Sequence, residues 1–134
     1  MRNMRIFAWV GILLVVGLLA GCTNKDEVRL TADQLNGILG MRTGETLVIE
    51  LPANPSAGYA WEVDDLDTAL FEPVGETEFV QEKNDEGLVG VPETQIIRLK
   101  AIASGKTTLK LIYLRSFEQG VDPLDTKWLD VDIK

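Results

Sequence analysis

The sequence of 134 residues contains no histidine and a single cysteine. Histidine is the commonest general base near neutral pH and the commonest metal ligand, so its absence removes the usual means of acid–base and metal chemistry. A single cysteine cannot form a disulfide within the chain, so a hydrophobic core has to stabilise the fold. The sequence also lacks the glycine-rich phosphate loops and the calcium-loop pattern. We therefore predict that the protein is not an enzyme and binds no cofactor or metal.

Basic residues are scarce, with 13 lysines and arginines against 21 aspartates and glutamates. Proteins that bind nucleic acids need clustered positive charge, so we expect no nucleic-acid partner. Acidic residues are plentiful around positions 64–72. A glycosidase needs two carboxylates about 5–10 Å apart across a sugar cleft, and nothing in the sequence indicates such a cleft. We interpret these residues as a solvated acidic surface.

The amino terminus has the features of a secretory signal. Arg2 and Arg5 precede an uncharged run over residues 6–20, and the small Gly21 stands before Cys22. The run is too short to cross a hydrocarbon core of about 30 Å, which takes about 20 apolar residues. Residues 19–22 resemble the lipobox of prokaryotic lipoproteins. The alternative is an ordinary signal or short anchor with an incidental cysteine. We predict a signal peptide over residues 1–21 and a lipid on Cys22.

Cleavage before Cys22 would leave residues 22–134, with residues 22–27 as a polar tether and residues 28–134 as one domain. The loss of two arginines leaves 11 basic residues against 21 acidic ones, a net charge of −10. Such a protein would not dock electrostatically on anionic lipids, so acyl chains alone would hold it. We expect an exported monomer, anchored to the cell membrane or outer membrane and facing away from the cytoplasm.

Apolar and polar residues alternate with a period of two over most of the domain. This pattern, interrupted by Gly, Pro, Asn and Asp, is typical of an all-β sandwich or barrel. Counting a segment that starts at Val28, we predict about seven strands in an immunoglobulin-like sandwich; the other candidates are residues 46–51, 59–63, 71–81, 95–102, 107–114 and 128–133. Residues 103–106 predict a tight hairpin. The one helix-like stretch covers residues 31–39, and Asn36-Gly37 interrupts it.

Residues 54–61 form the most specific segment, with the sequence Asn-Pro-Ser-Ala-Gly-Tyr-Ala-Trp. Pro55 fixes its own φ and restricts Asn54, whose side chain can hydrogen-bond the backbone ahead of it. Gly58 can adopt a positive φ without steric cost. Local chemistry therefore predicts a stiff protruding loop with Ser56 and Ala57 at its tip. A well-made turn without any further role would explain the same residues.

The segment resembles the Asn-Pro-Thr-Thr-Gly-Tyr-x-Trp motif of the chagasin-like inhibitors of papain-family cysteine proteases. That family has a small immunoglobulin-like domain without disulfides, and it blocks the protease cleft with three loops. The resemblance assigns the first loop to residues 54–58. It assigns the second, glycine-rich loop to residues 87–93, with Gly87, Gly90 and Val91, although Pro92 replaces a glycine of the family. For the third loop it implies Arg115 and Phe117, in a segment that lacks the family's proline.

The resemblance implies a reversible inhibitor that enters the cleft of a papain-like cysteine protease as a wedge. Asn54, Pro55, Ser56, Ala57 and Gly58 would approach the catalytic cysteine of the protease. Arg115 and Phe117 would pack on the cleft wall, and Tyr59 and Trp61 would be mainly structural. Two alternatives stay open: a non-inhibitory surface lipoprotein that binds a glycan or an envelope partner, and a structural lipoprotein of an envelope assembly.

Overall fold

The computed structural model describes residues 26–81 and 92–134. Nine β-strands and two single-turn 3₁₀ helices make up this part of the chain. The helices span Ala32–Gln34 and Pro55–Ala57. The strands are β1 Glu27–Thr31, β2 Gly37–Met41, β3 Thr46–Ala53, β4 Ala60–Asp64, β5 Phe71–Pro73, β6 Glu78–Gln81, β7 Glu93–Ala101, β8 Gly105–Leu114 and β9 Asp125–Ile133. No helix among these residues is long and apolar enough to cross a membrane.

The strands form two sheets that enclose one core. One sheet has the order β1-β3-β7-β5, with β6 also paired to β7; the other has the order β2-β9-β8-β4. Strands β1 and β3 are parallel, as are β2 and β9, and the remaining pairs are antiparallel. The predicted all-β sandwich is confirmed.

The core follows from the alternation in the long strands. Leu47, Ile49 and Leu51 on β3 are fully buried and face Leu109 and Leu111 from the other sheet. Because successive side chains of a strand point to opposite faces, one face of each strand supplies these contacts. Burying each such side chain contributes about 1.5–3 kcal/mol relative to leaving it exposed.

The segment 71–81, predicted as one strand, forms two short strands instead. Phe71 pairs with Ala101 in β5 and is fully buried, whereas all residues of β6 are exposed. Gly75, between them, has φ +66° and lets the chain turn away and rejoin β7. Together with the separate strand β2, this division explains why the described chain has nine strands where about seven were predicted.

The predicted hairpin at residues 103–106 is wrong. Strands β7 and β8 lie in different sheets, so the chain crosses from one sheet to the other at this point. The Ile102 N–H donates to the Leu70 carbonyl at 2.8 Å, which ties the crossover to the segment before β5. Gly105 has φ +152°, and a Cβ there would lie 2.9 Å from a methyl group of Leu70, so a larger residue would be strained and would have to displace that side chain. Alternation alone cannot show whether a following strand joins the same sheet.

The helix-like stretch at residues 31–39 is also different from the prediction. Only one 3₁₀ turn forms, and β2 begins at Gly37. Asn36 has φ +63°, and its side-chain oxygen accepts a hydrogen bond from the Trp128 N–H at 2.9 Å. This contact directs the chain into a parallel strand beside β9, so tertiary pairing overrides the local helical pattern.

The strand directions bring several connections to one end of the sandwich. Strand β3 ends at Ala53, β4 begins at Ala60, and β8 ends at Leu114. The β1 strand runs parallel to β3, with Glu27 opposite Thr46, so the described chain begins at the other end. The end that carries residues 54–59 and 115–124 is therefore far from Asp26.

Candidate functional site

Residues 54–58 form a compact turn that holds itself in place. The Asn54 side-chain oxygen accepts hydrogen bonds from the Ser56 hydroxyl at 2.8 Å and from the Ala57 N–H at 3.3 Å. Pro55 occupies the start of the 3₁₀ turn, and its carbonyl accepts from the Gly58 N–H at 2.9 Å. Gly58 has φ +86°, in the left-handed region. The turn predicted at Asn54 and the positive φ predicted for Gly58 are both present.

Phe117 lies directly on Gly58. A Cβ built on Gly58 would be 2.7 Å from Cε1 of the Phe117 ring, which no side chain tolerates without a shift of its neighbour. The ring is nevertheless 70% exposed. Most of a large aromatic side chain therefore faces solvent beside the tip of residues 54–58, held there by contact with a bare backbone.

Arg115 braces residues 54–59 against the connection that follows β8. Its Nε donates to the Ala57 carbonyl at 2.9 Å, and its guanidinium carbon lies 4.4 Å from the centre of the Tyr59 ring. Its Nη1 donates to the Glu118 carboxylate at 2.9 Å. This hydrogen bond to Glu118 raises the pKa of Arg115 further above its ordinary value, so the side chain keeps its charge. Arg115 therefore makes hydrogen bonds, an ion pair and an aromatic contact within the protein itself.

Three aromatic rings support the loop from beneath. Tyr113 stacks on Trp61 with ring centres 4.9 Å apart and packs against Tyr59 at 5.5 Å. The Tyr113 hydroxyl accepts from the Asn54 N–H at 3.0 Å, and the Trp61 indole donates to the Pro52 carbonyl at 2.9 Å. These contacts fix both ends of the turn, because Asn54 opens it and Tyr59 follows it.

The second predicted loop lies mostly outside the described residues: Gly87, Gly90 and Val91 belong to the segment 82–91. The strand ends that flank this segment are described. Gln81 pairs with Glu93, and Glu93 pairs on its other side with Ala53. The chain therefore leaves β6 and enters β7 next to the point where residues 54–58 begin.

Three residues of the connection after β8 belong to this end of the sandwich but were not predicted from the sequence. Glu118 forms the ion pair with Arg115, and its i, i+3 spacing from that arginine was a usable signal. Val121 and Leu124 are 60% and 65% exposed and lie beside Tyr59 and Arg115 in a shallow cleft. The connection after β8 has no periodic pattern from which their exposure could be inferred.

The other exposed aromatic residues do not join Phe117. Phe79 lies on β6 at the edge of one sheet, and Trp128 lies on β9 in the other. The Nζ atom of Lys110 stands 5.4 Å from the centre of the Trp128 ring. Within residues 26–81 and 92–134, the exposed aromatic rings thus lie on three separate surfaces, and they do not line one face as the glycan-binding alternative would need.

The arrangement offers a surface for contact. Among the described residues, no three histidines, cysteines, aspartates or glutamates lie close enough to hold a metal ion. The charge of Arg115 is balanced by Glu118, and the groups accessible at this end include the turn, the Phe117 ring and the side chains of Val121 and Leu124. Aromatic side chains of this kind dominate the energetics of protein interfaces. A preformed loop cluster on a disulfide-free sandwich defines a binding protein.

Comparison with known proteins places this binding protein in a family. Residues 40–131 match the model of the chagasin family of peptidase inhibitors. The chain belongs to this family, which confirms the resemblance seen in residues 54–61. Because the family consists of inhibitors of peptidases, the prediction that the chain is not an enzyme is confirmed as well.

Individual relatives agree with this assignment. The chain is 34% identical over 105 residues to amoebiasin-2 of Entamoeba histolytica, covering 78% of this chain and 84% of the relative. The crystal structure of the cysteine protease inhibitor EhICP2 from the same organism has a TM-score of 0.71 at 32% identity, covering 81% of this chain and 96% of that one. PbICP-C, solved in complex with falcipain-2, shares the fold with a TM-score of 0.50 at 20% identity, covering 81% and 99%.

Proposed function

We propose that this protein acts as a monomer and inhibits papain-like cysteine proteases by inserting residues 54–58 and Phe117 into the active-site cleft. One observation carries the proposal. The 70% exposed ring of Phe117 lies on Gly58, the left-handed glycine that ends a turn held by its own hydrogen bonds. The similarity to the cysteine protease inhibitor EhICP2 supports the choice of protease class.

The turn can occupy a protease cleft without being cleaved. A substrate binds in an extended conformation, but residues 54–58 are curled by hydrogen bonds from the Ala57 and Tyr59 N–H groups to the Asn54 carbonyl, both at 3.1 Å. The Ala57 carbonyl is also held by Arg115. Unfolding this turn would break several hydrogen bonds at once, so the protease meets backbone that is out of register for attack.

Rigidity also explains how a small surface could bind tightly. Ordering a flexible loop on binding costs free energy, and a loop that is already ordered avoids most of that cost. A standard interface covers roughly 800 Å² per partner, with about 20–30 residues on each side. Residues 54–58 alone cannot cover an interface of this size. The proposal therefore requires that the connection after β8, including Val121 and Leu124, also contacts the protease.

The proposal is tested by titrating the purified protein against papain. We expect stoichiometric, reversible inhibition. Phe117→Ala should raise the inhibition constant by roughly thirtyfold, equivalent to the loss of about 2 kcal/mol at an interface hot spot. Ile38→Ala is the matched control, because Ile38 is 84% exposed on a different surface, in strand β2. This control should leave the inhibition constant unchanged.

Two results would contradict the proposal. Full papain activity in the presence of a large excess of folded protein would remove the inhibitory function for this enzyme class. Equal effects of Phe117→Ala and Ile38→Ala would leave inhibition possible but would displace the contact surface from this end of the sandwich.

We also propose that the protein is exported and anchored by a lipid on Cys22, outside the cytoplasm. The sequence motif at residues 19–22 supports the lipid, and the topology makes the anchor compatible with inhibition. Glu27 lies opposite Thr46, at the end of β3 far from Ala53. Five residues of chain from Cys22 to Glu27 reach at most about 18 Å, whereas the eight residues of β3 extend over roughly 26 Å. The lipid would therefore be attached at the end of the sandwich opposite residues 54–58 and could not reach them.

Replacing the cysteine tests the anchor. Cys22→Ser should abolish the incorporation of a labelled fatty acid into the protein, because the thiol of residue 22 is the group to which the lipid is attached. The inhibition constant of this variant toward papain should equal that of the wild-type protein in detergent. Lys25→Ser, in the same tether, is the control and should be labelled as the wild-type protein is. A Cys22→Ser protein that still incorporates the labelled fatty acid would contradict the lipid assignment.

A further inference from the structure

Gln95 is a buried side chain that joins the two sheets. It is 1% exposed and is the only buried polar residue among those that the structure describes. Its Oε1 accepts a hydrogen bond from the Trp61 N–H, and its Nε2 donates to the Trp61 carbonyl, both at 2.7 Å. Gln95 belongs to β7 and Trp61 to β4, which lie in different sheets.

The two hydrogen bonds pair backbone groups of β4 that a neighbouring strand would otherwise pair. Strand β4 lies at the edge of its sheet and pairs only with β8. The side-chain amide of Gln95 satisfies both backbone groups of Trp61 on the unpaired side. Buried backbone groups that lack a partner are strongly disfavoured, so this pairing is not easily exchanged for another. Hydrophobic contact between the sheets has no direction, whereas hydrogen bonds fix position.

The position of this contact connects it to the candidate site. Trp61 lies three residues after Gly58, on the strand that leaves the turn. Gln95 lies two residues after Glu93, which pairs with Ala53 just before the turn. The strand before the turn, the strand after it and the start of β7 therefore meet around one side-chain amide.

We propose that Gln95 is a positioning residue for inhibition, whose side-chain amide sets where residues 54–58 stand relative to the start of β7. This inference rests on the proposed function. It also has a consequence that does not involve a protease, because the amide of Trp61 should be protected from hydrogen exchange only while the contact is intact.

Gln95→Leu removes both hydrogen bonds at nearly constant volume. We expect the Trp61 amide to exchange at least tenfold faster and the inhibition constant toward papain to rise at least tenfold, measured at a temperature where the variant is fully folded. Val131→Ala is the control for lost stability, because Val131 is 2% exposed and pairs with Thr107 near the opposite end of the sandwich. It should lower the melting temperature without changing the inhibition constant.

Gln95→Glu provides a readout that depends on pH. The carboxylate can accept from the Trp61 N–H but cannot donate to the Trp61 carbonyl, whereas the protonated acid can do both. Burial raises the pKa of such a carboxyl group, so protonation falls within reach of a mildly acidic buffer. The inhibition constant of this variant, divided by that of the wild type, should fall at least fivefold from pH 8 to pH 5. The same ratio for Gln95→Leu should stay constant.

The possible outcomes separate the two proposals. Faster exchange at Trp61 with unchanged inhibition would overturn the positioning role and leave the inhibitory function intact. Equal losses of inhibition in Gln95→Leu and Val131→Ala, or a pH-independent ratio for Gln95→Glu, would overturn it as well. If the wild-type protein inhibits no papain-like protease, the proposed function fails and the positioning role fails with it.

Discussion

Gly58→Ala is expected to raise the inhibition constant toward papain at least a hundredfold while the protein still folds. Two effects add at this position. The backbone has φ +86°, which a residue with a Cβ adopts only at a cost of about 1–2 kcal/mol. The new methyl group would also stand 2.7 Å from the Phe117 ring. The exposed ring is the group that can move, so the substitution displaces the side chain proposed to contact the protease.

Gly44→Ala is the matched control for this experiment. Gly44 has a similar φ of +94°, but a Cβ there would meet nothing within 4 Å. It lies between β2 and β3, at the end of the sandwich opposite Gly58. We expect both variants to lose several degrees in melting temperature, which corresponds to about 1–2 kcal/mol for a domain of this size. Only Gly58→Ala should lose inhibition. Comparable inhibition by the two variants would contradict the role of the turn.

The features that could be predicted from the sequence depend on neighbours along the chain. Alternation over residues 46–51 identified a strand because Leu47, Ile49 and Leu51 share one fully buried face, while Thr46 and Glu50 on the other face keep partial exposure. The turn at residues 54–58 was predictable because Asn54, Pro55 and Gly58 determine its geometry through their own side chains. A conformation that is determined by neighbouring residues is retained in the folded protein when no distant contact opposes it.

The features that could not be predicted depend on distant partners. The hydrogen bond from Arg115 to the Ala57 carbonyl joins residues 58 positions apart, and the contact of Gln95 with Trp61 spans 34 positions. No local pattern encodes such pairs. For the same reason the sequence could not show that β7 and β8 belong to different sheets, because alternation reports which face is buried and nothing about the neighbouring strand.

Substitutions of Trp61 should have the opposite effect to Gly58→Ala. They should lower the free energy of unfolding strongly and change the inhibition constant little. The side chain is 5% exposed, stacks on Tyr113 and donates to the Pro52 carbonyl. Trp61→Ala should lower the free energy of unfolding by about 3–5 kcal/mol, a large part of the total for a small domain. Trp61→Phe keeps a ring against Tyr113 but leaves the Pro52 carbonyl without its donor, at a cost of about 1–3 kcal/mol. Unfolding in urea measures both losses.

The folded fraction of Trp61→Phe should inhibit papain as the wild type does, because Gln95 holds the backbone of residue 61 and not its side chain. Trp128→Phe is the control, since Trp128 is 47% exposed and its replacement should change stability little. If Trp61→Phe weakened inhibition as strongly as Gly58→Ala, the indole ring would have to position residues 54–58 itself. The backbone contact with Gln95 would then not be sufficient to hold the strand that follows the turn.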